Sequence, residues 1–327
     1  MGLQTLGVAY EHLFCSDINP RVREVIAHNH TPAAIYSDCT RRSVSSMPTV
    51  DLYHAGFPCQ PFSAAGSNCG LEDARGTVIY SILKYIRTKL PKLVLLENVQ
   101  GLAQRHRKVL DMILTSLTKA GYRVDWRLLR AQEHGLPHHR NRVLIVGLLT
   151  TRSDRVSICW PEPLPAPSLD TVLNPWAKSD NPKRLPPPSQ TVARKHVKKF
   201  HKDMANRKLD LKKSKTVLDI DGTKLHSMYN MCPCLTRTRA GGGGHWVVSR
   251  GRRLRTEEME RLMGLHLHPP HPKGHVASLE RPASVSQRQW LQILGNSIPV
   301  PMLARVLSKL LPQAGLTNQL TDVWAHC

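Results

Sequence analysis

The chain has 327 residues and is 41% hydrophobic, enough for one large domain or two modest ones around a buried core. No apolar run approaches the roughly 18 residues that span a bilayer, and no charged-then-apolar leader opens the sequence, so a soluble, unsecreted protein without a membrane partner is expected. Against 24 Asp and Glu stand 46 Lys and Arg, a formal charge of +22 that attracts polyanions, nucleic acid first, although generically basic proteins share it. The 8 cysteines are scattered without paired spacing in a chain too long to depend on disulfide staples, which points to a reducing compartment. Cys232 and Cys234 form a C-x-C without a second pair, so no metal site is expected.

In chain order, "HLFCSD" (12–17), "VDLYHAG" (50–56), "KLVLLEN" (92–98) and "RVLIVGLL" (142–149) predict buried strands. Val78, Ile79, Ile82, Leu83, Ile86 and Leu90 recur at helical spacing, as do Leu110, Ile113, Leu114 and Leu117. Strand alternating with helix implies a parallel sheet with helices on both faces. From about Cys159, "WPEPLPAPS" and "RLPPPSQ" can hold neither a helix nor a central strand, which suggests a linker or an irregular second domain. Residues 194–215 carry ten Lys and Arg against two Asp, either a solvated face or a phosphate-contacting segment. "RAGGGGHW" (239–246) is a flexible loop or one that approaches a ligand. Beyond Arg250, Thr256 is expected to cap a helix whose first turn holds Glu257 and Glu258. Ser284 with Gln287 would make a capping box, and Met302, Leu303, Val306, Leu307 and Leu310 share the face of a last helix packed onto the first domain.

Ligands of an open parallel sheet sit beyond the carboxyl ends of its strands. Cys59, Glu97 with Asn98, and Asp17 all fall at such ends. A cysteine in a turn leading into a helix can become a thiolate nucleophile, though most lone cysteines are inert. A strand-end carboxylate can accept from, or when protonated donate to, a ring nitrogen, or merely cap a helix. Asp17 in "CSDINP" and Asp38 in "YSDCT" are placed to accept from a ribose diol, or to cap the next helix. Arg140 and Arg142 precede a strong strand; alternate residues of an extended chain point the same way, so both guanidiniums could face one cleft or lie on the surface.

In order along the chain, "GFPCQPFS" (56–63), "LEDARGT" (71–77), "LLENVQGL" (95–102), "HGLPHHRNRVLIVG" (134–147), "LRTEEMERLMGL" (254–265) and "LGNSIPVPM" (294–302) resemble the motifs of the cytosine-C5 DNA methyltransferase family. The resemblance covers most of residues 10–310 and is interrupted over 160–230, where this family keeps its variable target-recognition part. It implies an α/β fold: a Rossmann-like methyltransferase sheet with helices on both faces, plus a small irregular target-recognition domain. Residues 1–158 would be the catalytic domain, 159–250 the DNA-reading region and 251–327 a return to the catalytic domain.

The resemblance further implies roles. Cys59 would attack C6 of a flipped cytosine, so that C5 takes the methyl of S-adenosylmethionine. Glu97 would hold the N3/N4 edge, with Arg142 on the O2 side and Arg140 beside it. Asp17, Ile18, Asp38, Pro58, Val78, Asn296 and Ser297 match positions lining the cofactor site; Val78 stands where a leucine is usual and Ile18 where an aromatic is. His138 stands where the motif usually carries glutamine. Double-stranded DNA is the implied partner of a monomer, with no address in the sequence to separate nucleus from bacterial cytoplasm. The family opens with a strand and a Phe-x-Gly-x-Gly loop, whereas "GVAYEHLFCSDINP" already reads as its second strand. A truncated start, a sheet lacking a central member and weakened cofactor binding are therefore expected. The alternatives are a DNA-binding relic that transfers nothing and an RNA cytosine methyltransferase of the same fold.

Overall fold

Short apolar runs separated by amphipathic stretches fold as strands and helices in the first half of the chain. The structure is a computed structural model and describes residues 1–58, 78–150, 157–267 and 274–325. After one helical turn, α1 (Gly2–Thr5), come β1 (Phe14–Ser16), α2 (Pro20–Asn29), β2 (Ala34–Tyr36) and β3 (Leu52–Gly56). Then come α3 (Val78–Lys89), β4 (Leu93–Val99), α4 (Gly101–Arg105), α5 (Arg107–Lys119), β5 (Tyr122–Arg130) and β6 (Asn141–Leu149). Among the described residues β1 pairs only with β2, in parallel, while the larger sheet has the order β3-β4-β6-β5. The edges of β1 and β3 are bridged by rings: Phe14 packs edge-on to Tyr85 at 5.4 Å and lies 6.3 Å from Tyr53.

The sheet that strand–helix alternation alone reads as parallel is a mixed one. β3 and β4 are parallel, but β6 runs antiparallel to both β4 and β5. A parallel return needs a crossover of a dozen or more residues. The β5–β6 connection holds only a 3-10 turn, Ala131–His134, and a short coil, so the chain doubles straight back. β5 is a strand beyond the four expected, and its Tyr122, Val124, Trp126 and Leu128 alternate and pack on one core.

Burial on both faces explains the unbroken apolar run of β4. Val94 and Leu96 pack with Ile82 and Ile86 of α3 and Ile113 and Leu117 of α5. Leu93 and Leu95 face the other way, onto the last helix of the chain, Val300–Gln313.

The second half is more regular than expected. The proline segments at 160–168 and 185–189 hold neither helix nor strand, but after them lie α6 (Thr191–Asn206), β7 (Thr216–Asp219), β8 (His226–Tyr229), α7 (Arg237–Gly241), β9 (Trp246–Val247) and β10 (Arg252–Arg253). The strands form an antiparallel sheet of order β10-β9-β7-β8. α6 covers one face through Ala193 and Val197 on Leu218 and Trp246, while Val217 and Val247 on the other face join the core around Trp290. The chain closes with α8 (Thr256–Arg261), α9 (Gln287–Asn296) and α10 (Val300–Gln313), whose Met302, Val306, Leu307 and Leu310 lie on the β4 face as predicted. Among the described residues no helix is long and apolar enough to cross a membrane.

Two caps are displaced from their expected positions. Thr256 is the first residue of α8, and the Glu258 carboxylate closes the turn by accepting from the Arg255 N–H at 2.8 Å. The capping box of α9 is Ser286 with Gln289, two residues later than expected; Ser284 instead donates to Glu24 at 2.9 Å. Ser286→Ala should therefore cost about 1 kcal/mol in denaturant unfolding, as lost N-caps do. Ser284→Ala should cost no more than about 0.5 kcal/mol, as exposed substitutions do; the reverse ranking would place the cap at Ser284.

Candidate active site

Parallel pairing puts Gly56 of β3 opposite Glu97 of β4, at the carboxyl ends of both strands. A Cβ on Gly56 would stand 3.1 Å from Glu97 Oε2, so the missing side chain is what gives the carboxylate room there. On the other side Leu144 of β6 pairs with Glu97, and Arg142, two residues earlier in β6, reaches the carboxylate diagonally. Arg142 Nε lies 2.6 Å from Glu97 Oε1, and the two side chains keep only 9% and 14% of their exposure. The Nε–H does not point at the oxygen, so this is a close charge pair rather than an aligned hydrogen bond. Arg142 Nη1 also donates to the Asn141 carbonyl at 2.8 Å.

Asn98, buried behind Glu97, extends its Nδ2 toward the Phe57 carbonyl at 3.4 Å, and its Oδ1 accepts from the Val99 N–H at 2.8 Å. The end of β3 is thus tied to the end of β4 one residue before Pro58. Cys59 lies outside the described residues, as does the rest of "CQPFS". Val78, at the start of α3, is half-buried against the α3–α5 core.

Arg140 does not share the cleft expected of it. Before β6 the His138 N–H donates to Leu136 O and the Arg140 N–H to His138 O, each at 2.8 Å, so the chain coils through two tight turns and strand alternation does not apply. The Arg140 guanidinium is wholly buried and donates to the carbonyls of Leu235 and Gly295, both at 2.9 Å, and of Ser297. Burial, then the like charge of Arg142, pull its pKa down to about 10. Arg140 therefore joins the segment before α7 to the α9–α10 junction. Gly295 permits this closeness, because a Cβ there would stand 2.7 Å from Thr236 O and 2.8 Å from Arg237 backbone atoms.

His138 is equally buried. Its Nδ1 lies 3.0 Å from the Leu262 carbonyl and its Nε2 accepts from the Leu235 N–H at 3.1 Å, so the proton sits on Nδ1 and the ring is neutral. Burial and the neighbouring Arg140 hold its pKa well below the ordinary value.

The other expected residues gather at two places. Asp17 comes directly after β1; its Oδ1 accepts from the Asn19 N–H at 2.7 Å, Oδ2 has no hydrogen-bond partner among the described residues, and burial pushes its pKa up. Ile18 beside it is 78% exposed. Asp38, just past β2, accepts from the Thr40 hydroxyl and N–H at 2.7 and 2.8 Å, which lower its pKa, the hydroxyl first. Asn296 and Ser297 end α9, and a polar cleft of about 150 Å³ joins Asn296 and Gln292 to Asn19 and Arg21 at the start of α2. Two strand-end carboxylates with an uncovered apolar side chain fit the ribose and adenine of an adenosyl cofactor. Gly56 and the Asn19–Arg21 segment join the site without having been given a role by the sequence; the signal for Gly56 is a glycine that closes a strand and opens the "GFPCQPFS" motif.

The fold is that of a methyltransferase, a mixed sheet with helices on both faces. Over 95% of its length the chain resembles the crystal structure of S. pombe Dnmt2 methyltransferase, covering 94% of that chain at 18% identity with a TM-score of 0.61. Residues 1–311 match the family model of C-5 cytosine-specific DNA methylases, and the chain belongs to that family. It is 36% identical over 201 residues to the Type II methyltransferase M.NgoBV of Neisseria gonorrhoeae, an alignment that takes in 59% of this chain and spans only 45% of that relative. With M.NgoBI of the same organism it is 30% identical over 310 residues, 92% of this chain and 87% of the relative.

The buried neutral His138 makes stability depend on pH. Below about 6.5 the unfolded chain takes up a proton that the folded one refuses, so stability is full above that pH and falls as pH drops toward the depressed folded value. A glutamine amide can donate to Leu262 O and accept from Leu235 N–H without titrating. His138→Gln should thus reduce the pH slope of unfolding free energy below pH 6.5 by up to about 1.4 kcal/mol per unit. An unchanged slope in denaturant titrations would show that His138 titrates freely in the fold.

Proposed function

We propose that this chain transfers a methyl group from S-adenosylmethionine to C5 of cytosine in double-stranded DNA. The observation that carries the reading is the Glu97–Arg142 pair at the carboxyl end of β4, beside the strand end that leads through Pro58 to Cys59. A cytosine turned out of its helix would present its N3/N4 edge to Glu97 and its O2 side to Arg142. The Cys59 thiolate adds to C6, forming the S–C bond and shifting the ring electrons to C5. The guanidinium faces the oxygen on which charge accumulates, and the site's low exposure strengthens that contact. C5 takes the methyl as the donor's S–CH3 bond breaks and the demethylated thioether leaves; loss of the C5 proton to a base and breakage of the S–C6 bond then return the thiolate and 5-methylcytosine. When bound, S-adenosylmethionine supplies the electrophilic methyl; Asp17 and Asp38 would hold its ribose, Ile18 its adenine, and Pro58, Val78, Asn296 and Ser297 the remaining contacts expected of them. Arg140 acts in this reading as a positioning residue, outside the reacting groups.

Residues 159–250, with their antiparallel sheet and basic helix, are the part we assign to reading DNA. A second reading, a chain that holds DNA and transfers nothing, is favoured by one observation, the lack of any strand pairing β1 to β3 among the described residues. Calorimetric binding of S-adenosylmethionine to this chain would exclude it.

Incubation with a cytosine-containing duplex and methyl-labelled S-adenosylmethionine tests the main reading. Cys59→Ser should abolish turnover while duplex binding persists, and Glu97→Gln should lower kcat by about 10²–10³, the scale for one lost charge-stabilising group. Retained transfer by Cys59→Ser would remove the thiol from the reaction.

A further inference from the structure

Helix α6 places its apolar and basic residues on opposite sides. Ala193, Val197 and Met204 are buried, and His196 Nδ1 donates to the Ile220 carbonyl at 3.1 Å, which seats that side on the small sheet. Lys195, Lys198, Lys199 and Lys202 recur at i, i+3, i+4 and i+7, and all four are exposed. Like charges at these spacings oppose one another within the helix, so the stripe is not there for helix stability.

Ion pairing divides the cations of this region. Arginines nearby are matched to acids: Arg239 lies 2.8 Å from Asp219, Arg252 2.8 Å from Glu258 and Arg253 2.6 Å from Asp221. Within α6 the acid Asp203 is taken by Arg207 at 3.2 Å. Among the described residues none of the four lysines has an acid within 4.0 Å, so their charge is open to solvent. At about 1.5 Å per residue the stripe is about 10 Å long, which matches about three base pairs of duplex at about 3.4 Å each. Lysine is a point charge without the fork that reads base edges, so such a contact is blind to sequence. A membrane surface would need the helix's apolar side free, and that side is buried in protein.

We propose that the lysine stripe of α6 is a sequence-independent contact for the phosphates of duplex DNA, separate from the site at Glu97; the proposal rests on the reading of DNA as substrate. The full chain and its K195Q/K198Q/K199Q/K202Q variant are titrated with a labelled cytosine-containing duplex over a salt series. Glutamine matches lysine in helix propensity, and coincident thermal unfolding checks the fold. The expected result is a plot of log K against log salt shallower by about 2–4 in the variant. The corresponding all-arginine variant should keep the full slope. Coincident slopes for wild type and the glutamine variant overturn the stripe while leaving the catalytic reading intact. A shallower slope with no methyl transfer from either protein supports the stripe and sinks that reading. A larger loss of affinity for single-stranded RNA than for duplex overturns the choice of partner.

Discussion

A single buried cation organises the region around the site. Arg140 gives its guanidinium to carbonyl oxygens from Leu235, Gly295 and Ser297, three points that the fold must bring to one place. Moving a charge out of water costs several kcal/mol unless hydrogen bonds replace the lost hydration, and bonds to a charged donor contribute about 1.5–3 kcal/mol each. The three carbonyls therefore have to converge if the fold is to keep the charge. Glu97 adds to this, because its carboxylate offsets the repulsion between two guanidiniums: it pairs with Arg142 and raises the pKa of Arg140. The candidate catalytic acid is thus also part of what keeps the neighbouring arginine charged.

Arg305 plays a matching part on the other side of the sheet. From α10 it lies 2.9 Å from Asp322 and donates to the carbonyls of Glu133 and Glu162 at 3.0 and 2.6 Å. Its Nη1 also approaches His134 Nδ1 at 3.1 Å; a guanidinium can only donate, so this nitrogen accepts and the ring is neutral, with burial and then Arg305 driving its pKa down to about 3. The short β5–β6 connection is therefore held at both ends by buried arginines, one reaching the α9–α10 junction and the other the last turns of the chain. That double anchorage fixes where β6 begins, and with it the position of Arg142.

These anchors also explain what the sequence could and could not reveal. The helices α3 and α5 and four strands of the first half are legible because α3, α5 and β4 bury continuous apolar patterns, which periodicity detects. Strand direction is not, since an antiparallel return leaves the same apolar run as a parallel one. The small sheet escapes notice because β9 and β10 are two residues long, too short for any period, and owe their stability to Trp246 and Val247 packing on residues distant in sequence. At the site, Glu97 and Arg142 are legible as residues at strand ends. Arg140 is not, because strand alternation does not extend into a segment that turns twice before the strand begins.

The distribution of charge obeys the same division between anchored and free cations. A formal excess of +22 says nothing about where the field is strong, since a guanidinium held at 2.6–2.9 Å from a carboxylate contributes little at a distance. Arg140 projects its charge inward onto carbonyl dipoles, while Arg142, Arg239, Arg252, Arg253 and Arg305 are matched to acids. Lysines, which lack the planar fork suited to buried pairing, remain on the surface of α6. These five arginines are spent on pairing while the four lysines of α6 face solvent unpaired among the described residues, so a polyanion approaching that helix meets a row of open charge.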